Sequence, residues 1–171
     1  MSSAHRRGVA LGGFMGVGKT SVGLRLARHL GLPFVDMDAE LTERFGPIQD
    51  QFARDGEEAF RVRETALVGE LCDGVPRVVA TGGGVWASVG NRARLHQAYW
   101  TVVLAASVDE LRRRLGTGEG RPLWGDAEAL LAQRQEGYQD ADLVLGSEGL
   151  EIEEVVDRIV EWLDTQTGEA A

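Results

Sequence analysis

Short apolar runs punctuate the chain at 9–11, 33–35, 77–80, 100–105 and 143–145, several of them β-branched. Runs of that length and composition read as strands buried on both faces of a parallel sheet. Between them, apolar positions recur at helical spacing over 20–30, 57–72, 89–97, 108–115, 127–139 and 151–164. In the last of these, Ile152, Val155, Val156, Ile159, Val160 and Leu163 share one face and acids fill much of the other, so this helix packs and carries no site. The segment 38–55 reads as two short helices broken at Gly46-Pro47, with Pro47 opening the second. Strands alternating with helices predict an α/β fold, a three-layer sandwich in which a five-stranded parallel sheet is flanked by helices. Ligands are then expected at the carboxyl ends of the strands.

Length and charge narrow the picture. The 171 residues suit one domain, 1–171, able to bury a core without disulfides, with a polar tail at 166–171. A formal net charge of −9 provides no broad basic surface for a nucleic-acid backbone or an anionic membrane, so neither partner is expected. Cys72 is the only cysteine and reads as a small filler on a helix rather than a nucleophile. No signal-peptide pattern and no apolar run of membrane length are visible, which leads to the expectation of a soluble, cytoplasmic protein.

Chemistry enters directly after the first strand. Gly13-Phe14-Met15-Gly16-Val17-Gly18-Lys19-Thr20 has glycine, four residues and then Gly-Lys-Thr, set between a predicted strand and an amphipathic helix. That is a P-loop: glycines let the backbone wrap a phosphate, the helix start adds its positive end, and the lysine reaches the outer phosphates. The expected ATP-binding set is Gly16, Val17, Gly18, Lys19, Thr20 and Ser21, with the Thr20 hydroxyl a ligand for Mg2+. The loop does not by itself choose among water, protein, nucleotide and small metabolite as phosphate acceptor.

Acceptor-side candidates follow the next two strands. In Asp36-Met37-Asp38, Asp36 is assigned to the metal and Asp38 to an acceptor hydroxyl, which it would orient and relieve of its proton. Capping of a helix that starts near Ala39 is an alternative use for either, and Asp38 is a candidate for both jobs. Thr81-Gly82-Gly83-Gly84 ends the third strand where bare amides would admit a ligand, although a sharp turn explains the glycines nearly as well. Arg61, Arg121 and Arg134 are cations able to grip a carboxylate or phosphate. Position alone does not select them from solvated arginines such as Arg112, Arg113 and Arg114. The segment 116–125 is too rich in glycine to be regular, and both a flap over a site and a surface loop fit it.

Taken together, these pieces resemble the shikimate kinase family over most of the chain. The matching stretches are the P-loop, Leu32-Pro33-Phe34-Val35-Asp36-Met37-Asp38, Phe52-Ala53-Arg54-Asp55-Gly56-Glu57-Glu58-Ala59-Phe60-Arg61, Thr81 with its three glycines, Arg121-Pro122-Leu123, and Arg134 with Tyr138. The resemblance implies ATP-dependent phosphorylation of the 3-hydroxyl of shikimate, in aromatic amino-acid biosynthesis, on a P-loop kinase fold with a mobile lid near 116–125. It gives Asp38 to the acceptor hydroxyls, Arg61 and Arg134 to the substrate carboxylate, and Gly82, Gly83 and Gly84, through the backbone of Gly83, to substrate. It places Arg121 on the lid, reaching the ATP phosphates, so that Lys19, Asp38 and Arg121 form the catalytic set. Glu64, one turn beyond Arg61, is positioned to brace that guanidinium. A monomer acting on ATP and shikimate is the expected assembly. The alternatives are a related kinase for another carboxylated cyclic polyol or a gluconate-like acceptor, and a catalytically silent nucleotide-binding regulator.

Overall fold

The computed structural model describes residues 7–115 and 127–168. The described chain alternates strand and helix as β1 (Gly8–Gly12), α1 (Lys19–Leu30), β2 (Phe34–Asp36), α2 (Met37–Phe45), α3 (Ile48–Leu71), β3 (Val78–Ala80), α4 (Val89–Ala98), β4 (Tyr99–Ala105), α5 (Val108–Leu115), α6 (Ala127–Gln139), β5 (Leu143–Gly146) and α7 (Ile152–Thr167). A short 3₁₀ turn, Val85–Ala87, precedes α4. The five strands form one sheet in the order β2-β3-β1-β4-β5, every neighbouring pair parallel.

Alternation along β1 shows why three layers form. Successive side chains of a strand point to opposite faces. Val9 and Leu11 accordingly join a core with Val22 and Leu26 of α1, Leu111 of α5 and Ile159 of α7. Ala10 joins a second core on the other face, with Leu41 of α2, Phe60 and Leu67 of α3, Leu95 of α4 and Tyr138 of α6. The capping box of Glu151 and Glu154 starts α7, whose Val155, Val156, Ile159 and Leu163 are buried as the helical spacing predicts.

Register places the business ends level. Ala80 lies opposite both Leu11 and Asp36, so β1, β2 and β3 finish together and their following turns share one edge of the sheet. Thr81 ties that edge: its amide and its hydroxyl both donate to the Leu11 carbonyl, at 2.9 and 2.7 Å, and the hydroxyl accepts the indole N–H of fully buried Trp86 at 2.9 Å. Thr81→Val keeps the shape and strands that N–H, which is expected to cost about 1–3 kcal/mol in denaturant unfolding, whereas Thr81→Ser retains most of the stability. Equal stability of the valine variant would show that the hydroxyl adds nothing.

One element boundary differs from the sequence pattern. Within α3 the short helix expected up to 55 and the helix expected from 57 are both present, separated at Gly56, whose φ of 86° and ψ of 167° are not helical. The break at Gly46-Pro47 falls where expected, with Pro47 just ahead of the first residue of α3. The second helix after the P-loop begins at Met37, two residues before the expected start, with consequences for the two aspartates.

Candidate active site

The P-loop backbone has the conformation its glycines permit. Gly13, Gly16 and Gly18 have φ of 134°, 80° and 100°, a region closed to most L-residues. Gly18 is the N-cap of α1 and no side chain caps the helix, so its first amides are available to a phosphate. The Lys19 ammonium lies among them, donating to the Gly13 carbonyl at 2.5 Å and, weakly, to that of Phe14 at 3.5 Å. Burial lowers its pKa from 10.5 to about 8, helped by the positive charge of Arg134 and opposed by Asp38 and Asp36.

Asp36 takes two roles at once. Its Oδ2 accepts from the Thr20 hydroxyl at 2.5 Å, while Oδ1 accepts from the Ala39 amide at 3.1 Å as the N-cap of α2. The capping role entertained for Asp38 therefore belongs to Asp36. Asp38 sits in the first turn of α2 and lines the same cavity as Lys19 and Thr20. The residues fit Mg2+: a hydroxyl and a carboxylate are hard oxygen donors already in contact beside the phosphate loop. Among the described residues no group of three or more His, Cys, Asp or Glu stands ready as a cage. Few protein ligands, completed by phosphate oxygens and waters, are what Mg2+ accepts.

The two arginines line the same cavity. Arg61 donates to Glu64 Oε1 at 2.8 Å and to Glu57 Oε1 at 3.4 Å, and its guanidinium lies against the Phe60 ring, 5.3 Å from the centroid. Glu64 is buried, and that burial raises its pKa despite the opposing pull of Arg61. Arg134, from α6, is only 4 % exposed and rests over the Phe14 ring at 5.4 Å. Among the described residues no carboxylate pairs with it. Its charge nevertheless acts on Glu64, whose pKa it helps to lower against burial, and on Tyr138. Tyr138, one turn along α6, donates to the Gly83 carbonyl at 2.8 Å, and burial pushes its pKa up to about 12.

These groups open on one cavity of about 580 Å³, shared by Gly16, Lys19, Thr20, Asp38, Arg61 and Arg134, with Gly83 and Gly84 in its wall. Gly18 and Ser21 also line it, whereas Val17 is buried in the core below. Ile48 and Phe52 line the cavity too; Phe52 opens one of the stretches that carry the resemblance, but neither was named as a site residue. Their spacing of four at the start of a helix was the available signal. Arg114 was also missed: grouped with solvated arginines, it instead pairs with Glu110 at 2.8 Å and donates to the Val17 carbonyl at 3.3 Å, bracing the P-loop from α5. Arg121 and the expected lid at 116–125 lie outside the described residues. Cys72 donates weakly to the Arg94 carbonyl at 3.6 Å, and burial raises its thiol pKa, as suits a filler.

A P-loop beside a hydroxyl–carboxylate pair, facing a small cavity lined by an acid and by guanidinium groups, defines a small-molecule kinase. The family model for shikimate kinase matches residues 15–164. A shikimate kinase from Geobacter metallireducens is 41 % identical, with 92 % of each chain covered, and one from Ruegeria pomeroyi is 38 % identical over 96 % of this chain and 89 % of that one. Among solved structures, shikimate kinase from Acinetobacter baumannii in complex with shikimate superposes with a TM-score of 0.89 at 31 % identity, covering 94 % of both chains. A gluconokinase from Sinorhizobium meliloti, at 21 % identity and a TM-score of 0.62, shares the fold. The chain belongs to the shikimate kinase family.

Proposed function

We infer that this protein transfers the γ-phosphate of ATP to the 3-hydroxyl of shikimate, the activity of its family, and that the groups gathered in the cavity carry it out. The observation that carries the reading is the meeting of Lys19 and Thr20 on one side with Asp38, Arg61 and Arg134 on the other in a single cavity. A loose phosphoryl transition state asks the protein chiefly to align reactants and offset charge. In this reading the amides from Gly16 to Ser21 hold the phosphates and Lys19 follows the charge as it moves. Thr20 and Asp36 hold Mg2+, which neutralises phosphate oxygens when bound. Asp38 orients the acceptor hydroxyl and takes its proton. Arg134, buried and lining the cavity, receives the substrate carboxylate together with Arg61. Arg121 is proposed to reach the phosphates from a closing segment.

The reading treats the whole chain as one domain working as a cytoplasmic monomer. Among the described residues no helix is long and apolar enough to cross a membrane. Coupled ADP-release assays test the function. Shikimate is expected to drive turnover, and a carboxyl-free analogue to do so only weakly. Equal turnover of the analogue, or preference for gluconate, would replace the acceptor, while ATP binding without turnover would make the chain a nucleotide-binding regulator.

The two arginines should separate in a second measurement. Arg61→Ala and Arg134→Ala are each expected to raise the KM for shikimate by about 10- to 10²-fold, the worth of a charged hydrogen-bonded pair, with little change in the KM for ATP. Arg61→Ala also leaves buried Glu64 unpaired and should melt earlier than wild type, whereas Arg134→Ala removes a buried cation and should not. Unchanged shikimate affinity in both variants would remove the carboxylate clamp.

A further inference from the structure

Backbone conformation does not explain why Gly82, Gly83 and Gly84 are glycines. None of the three has a positive φ, and Gly84 sits at φ −86° and ψ −9°, which alanine adopts freely. What a Cβ would meet is side chains. At Gly82 it would stand 2.5 Å from Glu64 Oε2 and 3.1 Å from Asp38 Oδ1; at Gly83, 2.8 Å from Arg134 Nη1; at Gly84, 2.2 Å from Arg61 Nη1. Three consecutive Cα atoms, about 3.8 Å apart, thus lie under different charged groups of the acceptor cavity.

The turn is fixed from both ends and from above. Thr81 bonds to Leu11, the amides of Val85 and Ala87 return to the carbonyls of Gly82 and Gly84 at 3.1 and 3.2 Å, and Tyr138 holds the Gly83 carbonyl. Arg61 is pressed onto this turn by the Phe60 ring on one side and by its carboxylate partners Glu64 and Glu57. A planar guanidinium approaches so closely only where no Cβ projects.

We propose that the triple glycine is a positioning device in which each Cα seats one set of substrate-facing groups: Gly82 the carboxylates of Asp38 and Glu64, Gly83 the guanidinium of Arg134, and Gly84 that of Arg61. The turn thereby sets the spacing between the acid that meets the acceptor hydroxyl and the cations that meet its carboxylate. This inference rests on the acceptor-site reading above. Because the clash from an added Cβ falls on the far ends of flexible side chains, an alanine here moves a charge and leaves the fold in place.

The decisive variants are Gly84→Ala and Arg61→Lys, alone and combined. Gly84→Ala is expected to raise the KM for shikimate about tenfold or more, keep the KM for ATP within about twofold, and melt no earlier than Arg61→Ala, since a displaced guanidinium gives up at most its bond to Glu64 while alanine at a compatible φ narrows the unfolded ensemble. Gly82→Ala, which displaces Asp38, should instead act mainly on kcat. In the Arg61→Lys background, where no flat guanidinium needs the seat, Gly84→Ala should add less than about threefold. An undiminished effect in that background, or a Gly84→Ala protein that melts early and loses ATP affinity as well, would overturn the proposal in favour of plain turn geometry. A crystal structure of substrate-free Gly84→Ala supplies a check independent of turnover: a displaced Arg61 guanidinium supports the seat and an unmoved one refutes it. Wild-type protein that ignored shikimate would sink the acceptor reading alone, and the position of Arg61 in that crystal structure would still decide the seat.

Discussion

Asp38→Asn is expected to lower turnover with shikimate by about 10²-fold or more while leaving ATP affinity nearly unchanged. Asparagine keeps the size and a hydrogen-bonding oxygen, so the acceptor still binds; what it lacks is the charge that draws the hydroxyl proton as the phosphoryl group arrives. In the proposed reading the loop from Gly13 to Thr20 holds the ATP phosphates and Asp38 contributes no group to it, so the effect falls on kcat. A second signature distinguishes this from simple disruption. Asp38 is the first of the charges that hold the Lys19 pKa up against burial. Removing it lets that pKa fall below about 8, so the alkaline limb of the kcat/KM profile for ATP should move to lower pH in the variant. Turnover comparable to wild type would take Asp38 out of the mechanism, and an unmoved alkaline limb would show that it does not act on Lys19.

Why Asp38 rather than Asp36 is proposed to touch the acceptor illustrates what the sequence discloses and what it withholds. Strand positions were legible because β1, β3 and β4 are apolar on both faces, and the P-loop because its glycines carry a conformational demand visible in residue type alone. The start of α2 was not, because two aspartates in three residues are equivalent as caps until β2 pairs with β3. With Asp36 opposite Ala80 the strand ends there, and the helix begins at the next residue. Arginines pose the same difficulty more sharply. Arg61 and Arg134 come from helices far apart in the chain, and their local sequence looks like that of any solvated arginine; only the packing of α3 and α6 over the glycine turn singles them out. Family resemblance chose them where physical pattern did not. Arg114 shows the converse, since Arg112 pairs with exposed Glu128 and Arg113 stays exposed while reaching Glu110, whereas Arg114, sharing Glu110, also reaches the Val17 carbonyl of the P-loop.

Lys19→Met is expected to reduce turnover by about 10³-fold, the usual effect of deleting a group that stabilises charge in the transition state, and yet to leave the empty protein no less stable at neutral pH. The reason lies in the sign of the Lys19 shift. Its folded pKa, about 8, lies below its ordinary value of 10.5. Between those two values the unfolded chain binds more protons than the folded one, so this group makes stability rise as pH climbs through that window. Below pH 8 both states carry the charge, and folding bears the full cost of desolvating it, offset in part by the bonds to the carbonyls of Gly13 and Phe14. Methionine fills similar space without a charge to desolvate. In the proposed reading the ATP phosphates meet the Lys19 ammonium, so that binding and catalysis recover what folding gives up. Thermal melts of both proteins without nucleotide, from pH 7 to 10, should show the wild-type midpoint gaining on that of Lys19→Met as pH rises, with the variant at least level at pH 7. A variant that melts well below wild type at pH 7, or that keeps turnover within about tenfold, would mean that the ammonium serves the architecture of the loop rather than the phosphate it is placed to meet.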